Sequence, residues 1–237
     1  MKKRFFGLML IFIFVLSSVF SVSYASNSTI AQDFDNMPGV PRGDTDCVNF
    51  LKYLNKNRPD LLPRIPDVSL GSFKKKTAII NTFTPDPGCI AICKSSKYPD
   101  NGHVAYVNSV SSDREQITLV ESGGFVKGHI STRTGNKIEL NIVGYYNPYD
   151  VSFYEHHNEL GWVTGKMEGD CALVATQMGF SNDQLSCVEI RQDNITVILY
   201  EHDNYQGRQL VLSEKGTYNL GDKDFNDICS SYKIIIN

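Results

Sequence analysis

The C-terminal part of the chain contains an internal repeat. Tyr154-Glu155-His156-His157-Asn158-Glu159-Leu160-Gly161 aligns with Tyr200-Glu201-His202-Asp203-Asn204-Tyr205-Gln206-Gly207 at an offset of 46, and Tyr, Glu, His, Asn and Gly coincide. Downstream, Asn182-Asp183-Gln184-Leu185-Ser186-Cys187 aligns with Asn226-Asp227-Ile228-Cys229-Ser230-Ser231 at an offset of 44. A repeat of about 40 residues made of short strands cannot bury its apolar face alone, so the copies must pack on each other. The pattern predicts a small all-β sandwich over residues 151–237.

Charge marks the same boundary. Residues 151–237 hold 13 acidic and 6 basic side chains, net −7, whereas residues 26–150 stand at +1. The whole-chain value of −3 conceals this split. A composition of 41% hydrophobic and 21% charged residues is that of a globular protein and excludes collagen-like, coiled-coil and wholly disordered chains. There is no basic stripe, so no nucleic-acid partner is expected.

Residues 1–25 have the three parts of a secretory signal: basic Lys2-Lys3-Arg4, an apolar run from Phe5, and small residues at Ser23 and Ala25. Cleavage after Ala25 removes three basic residues and no acidic one, moving the formal charge from −3 to −6. The expected location is outside the cytoplasm: periplasmic, cell-wall associated or secreted. No later segment is apolar enough to span a bilayer, so no membrane association is expected after cleavage. Export permits disulfides among Cys47, Cys89, Cys93, Cys171, Cys187 and Cys229, and the spacing does not choose a pairing. Cys89 and Cys93, four apart on one strand, would lie about 13 Å apart, too far for a direct bond.

Residues 26–39 read as a polar arm. From Thr45 a helical pattern places Val48, Phe50, Leu51 and Leu54 on one face, with Thr45 or Asp46 able to cap its start. Beyond residue 86 come short β-rich runs: Gly88–Cys93, His103–Val107, Gln116–Val120 and Lys137–Tyr146. One helix followed by antiparallel strands is an α+β arrangement. Cys47 falls at the helix start, where free amides and the helix dipole favour a thiolate, the attacking form. His103 opens one strand and Glu121 closes the next, so adjacent strands could set the carboxylate beside the imidazole. The structural alternatives are a disulfide cysteine and a strand histidine without catalytic function.

Asp46-Cys47-Val48-Asn49-Phe50-Leu51, Pro87-Gly88-Cys89-Ile90-Ala91-Ile92, Gly102-His103-Val104-Ala105-Tyr106-Val107 and Ile117-Thr118-Leu119-Val120-Glu121-Ser122 together resemble a CHAP domain over residues 40–148. The resemblance implies a papain-like α+β fold and cleavage of peptidoglycan as amidase or endopeptidase. It also implies Cys47 as nucleophile, His103 as base and Glu121 as orienting carboxylate. Asp46 stands where that family commonly has Gln, and Gly123 where it often has Asn. An acid beside the thiol is expected to raise its pKa and cannot donate to an oxyanion.

In the acidic module, Asn-Asp-x-x-Ser occurs twice, supplying the hard oxygen ligands that calcium prefers. The plain alternative is a pair of polar turns. The pattern resembles a βγ-crystallin domain of two Greek-key motifs. That resemblance implies calcium ligation by the side chains of Asp183, Ser186, Asp227 and Ser230 and by the carbonyls of Glu155, Gln184, Glu201 and Ile228. Glu159 replaces an aromatic in the first copy, so the site leaning on that motif is expected to be the weaker. His156, His157 and His202 are expected to be structural. The expected protein is thus an exported cysteine hydrolase with peptidoglycan or cell-wall peptide as substrate and structural, non-catalytic Ca2+. The competing readings are a non-catalytic calcium-binding structural or adhesive protein with an inactive scaffold, supported by Asp46 and Gly123, and a toxin-like protease acting on host protein.

Overall fold

The structure, a computed structural model, describes residues 46–66, 69–123, 130–166, 169–172, 174 and 183–237. The expected export signal, the arm, Thr45 and Asn182 lie outside the described residues.

Helix α1 spans Cys47–Asn57. Its cap is Asp46, whose Oδ1 accepts the Asn49 amide at 2.7 Å. Phe50, Leu51, Tyr53 and Leu54 form its buried face, and the last turn closes on Arg58 ahead of Pro59. A second helix, α2, is the short Phe73–Thr77 segment. The helices are followed by β1 (Ile90–Cys93), β2 (His103–Val110), β3 (Ile117–Ser122), β4 (Ile130–Gly135) and β5 (Ile142–Tyr146). These strands form one antiparallel sheet in the order β4-β3-β2-β1-β5. The two-residue period sorts its side chains. Ile90, Ile92, Val104, Tyr106 and Val120 pack in one core with α1. Cys89, Ala91, Cys93, Ala105, Val107, Ile117 and Leu119 form the opposite core with Ile142 and Tyr145. Strand β4 and helix α2 are additional to the elements expected from sequence. Ile130-Ser131-Thr132-Arg133-Thr134 is polar because it is an edge strand, largely half-buried.

The second domain begins at β6 (Val151–His156) and continues with β7 (Leu160–Lys166), β8 (Gly169–Cys171), β9 (Cys187–Ile190), β10 (Ile195–His202), β11 (Gln206–Leu212), β12 (Gly216–Asn219) and β13 (Ser231–Ile236). Its two sheets run β12-β9-β6-β7 and β11-β10-β13-β8. Each sheet takes three strands from one repeat and the third strand of the other. β12 pairs with β9, and β8 pairs with β13. Neither copy can complete a sheet alone. The shared core sets Val151, Phe153, Val188 and Ile190 against Val197, Leu199, Tyr232 and Ile234, and the Phe153 and Tyr232 rings meet at 4.6 Å. Among the described residues, no helix is long and apolar enough to cross a membrane. All six cysteines are free thiols.

A buried charge cluster joins the two domains. The Asp86 carboxylate receives Arg114 Nη1 at 2.7 Å, Tyr154 Oη at 2.9 Å, Asn147 Nδ2 at 3.1 Å and Arg191 Nη2 at 3.4 Å. Glu189 bonds Arg191 and lies 2.9 Å from Tyr154 Oη, whose single proton the Asp86 and Glu189 carboxylates share. Asp86, Glu189, Arg114 and Arg191 balance in charge, and the Asp86 and Arg191 side chains are 3% and 1% exposed. Glu159 completes the contact: its carboxylate takes the Thr84 and Thr217 hydroxyls and its carbonyl takes Arg114 Nε at 2.8 Å. The linker is stitched into the same region, with Asp150 bonded to Lys166, Arg191 and Arg64.

Removing one member of such a balanced cluster strands the opposite charge in the interior. Arg191→Met should lower stability by about 3–5 kcal/mol, read from the chemical-denaturation midpoint. Adding Glu189→Gln, which restores neutrality, should recover part of the loss. A single variant as stable as the parent would show that the cluster does not hold the junction.

Candidate functional site

Strand register places the first cluster. Ala105 and Glu121 are opposite each other by extension of the Tyr106–Val120 pair, so His103 and Glu121 fall on one face of the sheet. Leu119 pairs with Arg133 and Glu121 with Ser131, which puts Arg133 on that face too. The side chains meet accordingly. His103 Nε2 lies 3.0 Å from Glu121 Oε2. Arg133 grips the same carboxylate through Nε at 2.8 Å and Nη2 at 2.9 Å. With Nε2 engaged, Nδ1 is the ring nitrogen left for Cys47, which lines the same cleft.

Electrostatics follow from these contacts. Burial raises the Cys47 thiol pKa, but the His103 hydrogen bond and charge, the Val104 backbone and the Lys76 charge outweigh it, leaving the thiol below its ordinary range. Burial lowers the His103 pKa, but its bonds to Cys47 and Glu121 lift it to about 9. Burial raises the Glu121 pKa, and His103 with Arg133 pull it below the usual range. The arrangement favours a thiolate–imidazolium pair held by a fully buried carboxylate.

The thiol pKa is lowered although Asp46 precedes it, and Asp46 is not among the main influences on it. Its carboxylate folds onto the helix end, where Asn49 donates from both backbone and side chain. Gly123, at φ +71°, lines the same cleft as the three predicted residues. Gly102 has a specific steric reason: at φ +59°, a Cβ there would sit 2.4 Å from the Phe73 ring of α2. That contact seats α2 against the start of β2 and brings Lys76 to the cleft wall, where its Nζ bonds the Asn101 carbonyl at 2.8 Å. The cleft encloses about 540 Å3. Arg133 and Lys76 escaped sequence reasoning. The alternation Ile130, Thr132, Thr134 was the available signal for β4; for Lys76, one of three consecutive lysines, there was none.

The second cluster is reciprocal. Ser186 Oγ donates to Asp227 Oδ1 at 2.9 Å, and Ser230 Oγ to Asp183 Oδ1 at 3.4 Å, so each pairs oxygens from both repeats. Asp183 and Asp227 share left-handed backbone, φ 59° and 54°. Ser186 N bonds the Tyr154 carbonyl and Ser230 N the Tyr200 carbonyl, setting Glu155 and Glu201 next in chain to the two pairs. Gln184 and Ile228 lie between each Asp and its own-repeat Ser. The first hairpin is not deformed by Glu159. Asn158 and Glu159 have φ 56° and 62°, against 54° and 64° at Asn204 and Tyr205. His156 and His202 each cover a glycine, Gly161 and Gly207, at a distance that leaves no room for a Cβ. Among the described residues, no group of three or more His, Cys, Asp and Glu side chains is placed to hold a metal.

Two exchanged four-stranded sheets built from an internal repeat make the second domain βγ-crystallin-like. Solved structures similar to this chain include a βγ-crystallin domain from Flavobacterium johnsoniae, 30% identical, covering 37% of this chain and 96% of that one, TM-score 0.33. Another is the βγ-crystallin domain from Clostridium beijerinckii, 28% identical over 36% and 95%, TM-score 0.33. A double mutant of that domain is 30% identical over 35% and 93%, TM-score 0.32. No protein-family model and no curated protein matches the chain.

Cys47 should therefore react with iodoacetamide at pH values where an ordinary thiol is protonated. The other five cysteines are buried, with Cys93, Cys187 and Cys229 pushed up to about 12, and should stay unlabelled in the native protein. His103→Ala removes the main lowering influence and should move the labelling midpoint upward, as mass spectrometry across a pH series would show.

Proposed function

We propose that the protein is an exported cysteine hydrolase, an amidase or endopeptidase of peptidoglycan, carrying a calcium-binding crystallin-like module. The observation that carries this reading is the bonded set Arg133–Glu121–His103 sharing one cleft with Cys47, a thiol at a helix N-terminus whose pKa His103 lowers. The peptidoglycan substrate rests on the CHAP-like sequences around Cys47, His103 and Glu121, and export rests on residues 1–25.

The Cys47 thiolate attacks the carbonyl carbon of the scissile amide. His103, an imidazolium at neutral pH, passes its proton to the leaving amine as the C–N bond breaks. Neutral His103 then takes a proton from water as the water oxygen attacks the thioester; the C–S bond breaks, releasing the acid and restoring the Cys47 thiolate beside the His103 imidazolium. Glu121 holds the ring and compensates its positive charge through the cycle, and Arg133 holds Glu121.

The oxygen pairs suit a hard divalent cation. Ser186 and Asp227, with the Glu155 and Ile228 carbonyls, would form one calcium site; Ser230 and Asp183, with the Glu201 and Gln184 carbonyls, the other. Asn226 Oδ1, beside Asp227, is buried without a partner, as expected of a group near an ion. Calcium would supply cross-linking between the repeats and no chemistry at Cys47.

Incubation of the mature protein with peptidoglycan should release soluble fragments with new amino termini or free amines. Cys47→Ala should abolish the release, and activity should fall on the alkaline side near the His103 pKa of about 9, where the general acid is lost. Equal inactivity of parent and variant, with and without calcium, would favour the non-catalytic reading. Calcium calorimetry should show binding that weakens in Asp227→Ala; no heat and no thermal stabilisation would remove the metal assignment.

A further inference from the structure

The cleft beside Cys47 is unequally charged: beyond the one lysine, Lys76, that lowers the Cys47 thiol pKa, it carries a further excess of cations. Two carboxylates line it, and both are occupied: Asp46 caps α1, and Glu121 is shared between His103 and Arg133. Three lysines, Lys76, Lys94 and Lys97, also line it. Among the described residues none of the three has an ion-pair partner.

Lys76 is the informative one. It is 3% exposed, yet its ammonium makes one hydrogen bond, to the Asn101 carbonyl. An ammonium has three donors, and a buried charge is unfavourable unless paired. The position is held firmly: Ser72 caps α2, the Phe73 amide bonds the Asp100 carbonyl, and the Phe73 ring lies on Gly102. The fold thus keeps a poorly compensated cation at the wall of the cleft. Lys94 and Lys97 are exposed on the segment after β1, with Lys97 over the Tyr98 ring at 5.1 Å.

We propose that this cleft selects an acidic peptide, with a substrate carboxylate pairing with Lys76 inside and steered by Lys94 and Lys97 at the rim. The inference rests on the thiol-hydrolase reading and specifies its substrate class. The carboxylate replaces the missing counter-charge of Lys76 and adds charge-assisted hydrogen bonds in a site screened from solvent.

The test uses paired fluorogenic peptide amides that differ only by Glu or Gln beside the scissile amide, on either side. The full mature protein should prefer Glu by about tenfold or more in kcat/KM at low salt. Lys76→Met should erase most of the preference and Lys76→Arg should keep it. Lys94→Gln with Lys97→Gln, both at exposed positions outside the core, should reduce it severalfold and flatten its salt dependence. Binding of the same peptides to Cys47→Ala, followed by fluorescence anisotropy, separates recognition from chemistry. Tighter binding of the Glu peptide supports acidic selection even if no amide is cleaved, an outcome that would count against the hydrolase alone. Equal binding of Glu and Gln peptides overturns the inference while leaving any measured hydrolysis standing. If Lys76→Met slows both substrates equally with the Glu preference intact, Lys76 serves only the thiolate or the oxyanion, and the inference falls.

Discussion

The Asp86 carboxylate is the interaction on which the two-domain structure turns. It sits where the first domain enters β1, and Arg114 fixes it to the turn between β2 and β3. Tyr154 on β6 and Arg191 just beyond β9 meet it from the other domain. Burial pushes this carboxyl above the usual carboxylate range; the Arg114 and Arg191 guanidiniums and the Tyr154 hydroxyl act against that without reversing it. Pieces of both domains are therefore needed to satisfy one buried charge. A hydrophobic contact would tolerate sliding, whereas directional bonds to one carboxylate do not.

That junction explains where the internal symmetry breaks. Tyr200 packs edge-on against Tyr205, with ring centroids 5.7 Å apart. The repeat equivalents are Tyr154 and Glu159. Tyr154 instead turns its hydroxyl to Asp86 and Glu189, and Glu159 bridges Thr84 and Thr217. Read as sequence, Glu159 looks like the loss of an aromatic. In the structure the hairpin backbone is unchanged, and the substituted side chain serves the contact with the first domain.

The legible parts of the molecule were those with a local signal. Cap and apolar spacing announced α1, β-rich runs announced β1, β2 and β3, and the repeat announced the paired hairpins. Strand exchange was not legible, because a repeat fixes pairing within a copy and says nothing about which sheet the third strand joins. Isolated charges were equally opaque. Arg133 lies on a polar edge strand, and Asp86 and Arg191 are far apart in the chain. Their roles come from long-range register, which no short window contains. Asp46 misled because its sequence position suggested an effect on the neighbouring thiol, whereas its carboxylate is turned to Asn49.

The two oxygen pairs are equal in chemistry but not in mechanical setting. The Ser186–Asp227 pair is tied through the Ser186 amide to the Tyr154 carbonyl, and Tyr154 is the residue whose hydroxyl reaches Asp86. The Ser230–Asp183 pair is tied instead to Tyr200, which packs on Tyr205 within its own domain. A cation bound only by the folded protein stabilises whatever must be ordered to hold it. Calcium at the first pair would therefore stiffen the strand that anchors the junction, and at the second only the sandwich itself. Neither route adds a charge at Cys47, whose thiolate is set by His103 and Lys76. The proposed metal thus bears on how the first domain is held, while the thiol's protonation is set within that domain.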